Sequence, residues 1–89
     1  MRRIARWEVL PPLWEAREHS DSDHYFDLYR NDVRGTYHLA SRKQNAERTF
    51  AVYDECEFGT GSTVDIIKRV MLNFVEPLRR RGLRVERVV

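Results

Sequence analysis

The stretch EHSDSDH, residues 18–24, gathers two histidines, two aspartates and a glutamate within seven positions. In an extended segment His19, Asp21 and Asp23 point the same way, an acceptable ligand set for a divalent cation. An EF-hand loop starting at Asp21 fails, because it needs glycine where Phe26 stands and glutamate where Asp32 stands. No histidine pair at helical spacing supports a zinc site. Ser and Asp side chains satisfy their own backbone in turns, so SDSD reads more simply as the tip of a turn, with no metal. Joining Asp21 and Asp23 to Asp54, Glu55 and Glu57 would give the carboxylate cluster of a metal-dependent nuclease. Such chemistry wants acids fixed on rigid elements, whereas most of these fall in turns or at strand ends.

Other candidates are weaker. Cys56 could be a nucleophile beside a histidine, but the acids at 54, 55 and 57 would raise its thiol pKa. GTGST before a helix resembles a phosphate cradle in outline, yet lacks the lysine of a Walker loop and the third glycine of a dinucleotide fingerprint. Arg79, Arg80, Arg81, Arg84 and Arg87 make a dense basic run. Arginines there could grip phosphate or an acidic protein surface, or simply complement a helix C-terminus, and the sequence leaves both open.

The elements that position these residues follow from hydrophobic period. Residues 2–10 alternate loosely, with Ala5, Trp7 and Val9 on one side, and the following Pro-Pro suggests an edge strand and a corner. Residues 13–19 suit strand better than helix. HYFDLYR and GTYHLAS alternate around the turn NDVR and form a hairpin. Setting Arg30 opposite Gly35 puts Phe26 against Leu39 and Leu28 against Tyr37 on one face. On the other face it sets Tyr25 against Ala40, Asp27 against His38 and Tyr29 against Thr36. ERTFAVYDEC continues the sheet. Ser62 and Asp65 approximate a capping box, and Val64, Ile67, Met71, Phe74 and Leu78, widened by Val70 and Val75, recur at helical spacing. Pro77 should kink that helix or end its regular bonding near Asn73, Gly82 should stop it, and LRVERVV should form a last strand.

The expected architecture is α+β: an antiparallel meander of about four to six strands, one long amphipathic helix packed on one face, and a C-terminal strand. One helix covers one face. The face bearing Tyr25, Asp27, Tyr29, His38 and Tyr53 is left for a partner, which a second copy of the chain could also be. Asp27 in its middle would repel a phosphate backbone and so favours protein over nucleic acid.

At 89 residues the chain reads as a single domain, 1–89, too small for a deep enclosed active site. Hydrophobic residues at 42% and charged ones at 34% are those of a folded domain. One cysteine excludes an internal disulfide. No secretion signal and no run of about 20 apolar residues is evident, so a cytoplasmic, non-membrane protein is the simplest expectation. A net charge of +2 argues for no polyanion partner, but it is laid out in blocks of +2, −4, +3, −4 and +5 along the chain. The expected function is a small non-enzymatic binding protein without cofactor. It would act by protein contact as an inhibitor or regulator of a larger, nucleic-acid-processing partner, with Tyr25, Asp27, Tyr29, His38, Tyr53, Asp21 and Asp23 at the contact. Phage anti-defence inhibitors, anti-CRISPR proteins among them, are an analogy of scale only. The alternative is a nucleic-acid-binding module using Arg79–Arg87 and the tyrosine face.

Overall fold

A computed structural model describes residues 1–10, 24–44 and 50–89, leaving out the side chains of 43, 44 and 50–55. Five antiparallel strands form one sheet: β1 (Arg2–Leu10), β2 (His24–Asn31), β3 (Thr36–Gln44), β4 (Phe50–Thr60) and β5 (Arg84–Arg87), in the order β4-β3-β2-β1-β5. Between β4 and β5, α1 (Thr63–Val70), a π-helical segment (Met71–Val75) and α2 (Glu76–Arg80) run on as one 18-residue helix. The fold is α+β, as the alternation and the long amphipathic stretch imply. Residues 13–19 and the metal candidates His19, Asp21 and Asp23 lie outside the described residues.

The first strand is not an edge. After the helix the chain returns beside it, pairing Trp7 with Arg87 and Val9 with Val85, so β4 and β5 are the outer strands. The prolines after Leu10 mark where β1 stops along its length, which says nothing about whether its flank is free.

The hairpin register also differs from expectation by two residues. Leu28 faces Leu39, Phe26 faces Ser41 and Arg30 faces Tyr37, while on the other side Tyr25 faces Arg42, Asp27 faces Ala40 and Tyr29 faces His38. The turn explains the shift. The loop is Asp32–Gly35 rather than Asn31–Arg34, so that Asn31 pairs with Thr36, and Gly35 takes φ 67°, the left-handed region glycine enters without strain. The Asn31 side chain accepts from the Val33 and Arg34 N–H groups at 3.1 and 3.2 Å, and its carbonyl accepts from Gly35 at 2.7 Å. A slip of two leaves every side chain on its face and changes only its partners.

The helix lies on the face formed by Ala5, Trp7 and Val9 of β1, Phe26 and Leu28 of β2, Tyr37 and Leu39 of β3 and Val85 of β5. Ser62 caps it, accepting from the Asp65 N–H at 3.2 Å. Its buried residues are Ile66, Val70 and Val75; Val64, expected in the apolar stripe, is 62% exposed. Spacings of four and then five reveal the cause. Pro77 has no N–H to give Asn73, and just upstream the Glu76 N–H reaches back five residues to the Met71 carbonyl, so the regular bonding is interrupted by a π-helical turn around Asn73. It ends in a Schellman motif, with Leu83 N–H to Leu78 O at 3.1 Å and Gly82 N–H to Arg79 O at 3.0 Å around Gly82 at φ 90°. Tyr37 ties sheet to helix start through a 2.7 Å hydrogen bond with the Thr63 hydroxyl.

Candidate functional site

Strand alternation sends Arg6 and Glu8 of β1, Tyr25, Asp27 and Tyr29 of β2, and His38, Ala40 and Arg42 of β3 to the face opposite the helix. Tyr25, Asp27, Tyr29 and His38 therefore do share one face. The backbone of Tyr53 falls at an irregularity of β4, between the pairs Ser41↔Asp54 and Arg42↔Val52, and its side chain is outside the described residues.

Asp27 is the centre of this face and is 0% exposed. A carboxylate so buried needs paired charges and hydrogen bonds. Arg6, on the neighbouring strand directly opposite, forks it: Nε donates to Oδ1 at 2.6 Å and Nη2 to Oδ2 at 2.9 Å. From the other side Arg42 brings Nε to 3.2 Å from Oδ2. That is a charge contact whose N–H is not aimed at the oxygen, and the buried Nε makes no hydrogen bond. Arg42 instead donates through Nη2 to the Tyr29 hydroxyl at 3.0 Å, and that hydroxyl makes a long 3.5 Å contact to Oδ2. Each guanidinium also lies against a ring: Arg6 is 5.0 Å from the centroid of Tyr25 and Arg42 is 5.5 Å from that of Tyr29. The hydrogen bond to Asp27 holds the Arg6 guanidinium above its ordinary pKa, with burial opposing.

The result is a row of Tyr25, Arg6, Asp27, Arg42 and Tyr29 across three strands. Asp27 is thus a buried pivot rather than an exposed contact, and its charge does not stand open to repel phosphate. Around the row Glu8 lies opposite Glu86, and Glu57 opposite His38. Arg6 and Arg42 were not singled out in the sequence, although a mid-strand aspartate between tyrosines is itself a sign that cations must stand on the adjacent strands.

The C-terminal arginines do not make one surface. Arg79 is a fastener, donating to Glu76 at 3.2 Å and to the Val85 carbonyl at 2.8 Å. Arg84 and Arg87, three apart on a strand, point to opposite faces, and Arg87 lies 5.8 Å from the Trp7 ring centroid. Arg80 and Arg81 are exposed at the helix end. At the far end of the sheet Arg2 forks Asp32 at 3.1 and 3.0 Å and Arg30 joins them, which holds the Asp32 carboxyl below its usual range. Cys56 is a free, half-buried thiol. Among the described residues no three His, Cys, Asp or Glu side chains gather as metal ligands, and no helix is long and apolar enough to cross a membrane.

The chain matches no protein family, no curated protein and no solved structure.

Proposed function

We propose that this chain is a small non-enzymatic binding protein that engages a protein partner through the face opposite its helix, with Tyr25, Tyr29, Arg6 and Arg42 as the contacting groups. The supporting observation is the complete burial of Asp27 beneath two arginines. Tyrosine and arginine supply much of the binding free energy at protein interfaces. Here they are immobilised before any partner arrives, which saves about 0.5–1.5 kcal/mol per side chain on association. The acids around the row, Glu8, Glu57 and Glu86, give the face mixed charge, which suits a protein surface better than a uniform phosphate chain. Inhibition or regulation of a larger, nucleic-acid-processing partner is the use we attach to this face.

A second reading, a single-stranded nucleic-acid platform, gains from the same geometry. Asp27 no longer opposes it, and Tyr29 beside Arg42 offers a stacking surface. One experiment separates the two. A photo-crosslinking phenylalanine analogue placed at Tyr29, in the cells the chain comes from, should yield a covalent protein adduct that the same analogue at Val33 does not. A nucleic-acid adduct would replace the first reading with the second. Equal adducts from both positions would remove the face from consideration.

A further inference from the structure

The tip of the turn between β2 and β3 is apolar where folding gives no reason for it. Turn positions favour Asn, Asp, Gly, Pro and Ser, yet Val33 stands there 96% exposed, more than any other large hydrophobic residue among those described. It is held firmly, because the Asn31 side-chain oxygen accepts from the Val33 and Arg34 N–H groups. Four arginines surround it. Arg2 pairs with Arg30 and Arg30 with Tyr37, which puts both on the helix side of the sheet; Arg3 pairs with Tyr29 and stands on the opposite side, and Arg34 follows Val33 in the turn itself. Asp32 is the one acid within residues 1–4 and 29–36, and it fastens Arg2 and Arg30. Arg3 and Arg34 are exposed, and their side chains make no hydrogen bond or ion pair among the described residues.

We propose that this end of the sheet docks on an anionic lipid bilayer, with Val33 entering the headgroup layer and Arg2, Arg3, Arg30 and Arg34 meeting lipid phosphates around it. Four arginines against one aspartate leave a charge of +3 at this end, which calls for an anionic partner. The arginines flank the tip on both faces of the sheet. A phosphodiester strand lying along one face would reach only some of them, whereas a lipid surface meets the tip from every side. An exposed valine gains nothing beside the phosphates of a nucleic acid, but an apolar residue ringed by cations gains by entering the boundary between headgroups and acyl chains. The contact is peripheral, since no helix among the described residues is long and apolar enough to cross. One valine and three net charges anchor weakly, giving half-binding at a lipid concentration on the order of 1 mM at low salt. The sheet then stands on end with its tyrosine–arginine face to the side, so this docking is independent of the role of that face.

Co-sedimentation of the full chain with vesicles of phosphatidylcholine containing roughly 30% phosphatidylglycerol, and with vesicles of phosphatidylcholine alone, tests it. The wild-type chain should bind the anionic vesicles, bind the neutral ones at least about tenfold more weakly, and be released by salt. Arg3→Glu with Arg34→Glu should weaken binding at least about tenfold and leave the melting temperature unchanged, both side chains being exposed. Val33→Ser should weaken it about threefold, and Val33→Trp should tighten it, since Trp favours the interface. Arg80→Glu with Arg81→Glu makes the same change of net charge at the exposed helix end and should weaken binding less than about threefold. No binding to anionic vesicles at low salt, an equal loss from the Arg80 and Arg81 pair, or undiminished binding by Val33→Ser would each overturn the proposal. So would a single-stranded oligonucleotide that binds through Arg3 and Arg34 while vesicles do not, which would assign this end to nucleic acid.

Discussion

The two faces of the sheet bury comparable centres by opposite means. On the helix side Trp7, Leu28 and Tyr37 are almost wholly buried among aliphatic groups of the helix. On the other side Asp27 is just as buried, but beneath two guanidiniums and beside a tyrosine hydroxyl. The first arrangement gains free energy from any apolar filling of the right volume. The second is demanding: a buried ion cluster contributes little net stability over an apolar one, yet collapses if a member is lost. A sheet that keeps such a cluster on one face gains a rigid, polar, aromatic surface rather than a better core.

The largest effects should come from the two centres. Trp7→Ala should cost about 3–5 kcal/mol by removing the biggest core side chain. Asp27→Ala should cost a similar 3–5 kcal/mol for the contrary reason, that two partly buried guanidiniums lose their counter-charge. Urea unfolding measures both, and salt separates them: the Asp27→Ala deficit should shrink at high ionic strength, where anions attend the arginines, while that of Trp7→Ala should not.

This contrast also explains what the sequence could disclose. Ala5, Trp7 and Val9, the Ser62 cap and the Gly82 stop were legible because each acts locally or with a fixed period. The common face of Tyr25, Asp27, Tyr29 and His38 was legible too, since a two-residue slip preserves it. Their partners were not. Which cation meets Asp27 depends on register across three strands, and an arginine on an outward strand position looks the same whether it is solvated or locked. Ile66 was missed and Val64 overrated because the π-helical segment breaks the period from which the stripe was drawn. The layout of the arginine run was not legible because the chain changes from helix to strand at Gly82, scattering residues that are neighbours in sequence.

Smaller changes sharpen the comparison. Tyr37→Phe, on the helix side, should cost about 1 kcal/mol, the worth of its bond to Thr63. Tyr29→Phe should change stability less, because Tyr29 is only half-buried where Tyr37 is buried, but should loosen Arg42, visible as faster exchange of its side-chain N–H in NMR spectra. The smallest effect belongs to Asp32. Its carboxyl pKa is lowered by Arg2 and Arg30, so its contribution is present above the unfolded pKa and is lost as pH falls through the folded one. The wild-type chain should show a slight drop in Tm on acidification through the carboxylate range that Asp32→Asn removes, and solvent exposure keeps that drop small.

The central claim, that the ion cluster serves the surface and not the fold, is tested most directly by urea unfolding of a variant in which Arg6, Asp27 and Arg42 are all replaced by leucine. The account predicts an unfolding free energy within about 1 kcal/mol of wild type or above it. A loss of about 3 kcal/mol or more, matching Asp27→Ala alone, would mean that the fold itself requires the cluster and would contradict the account.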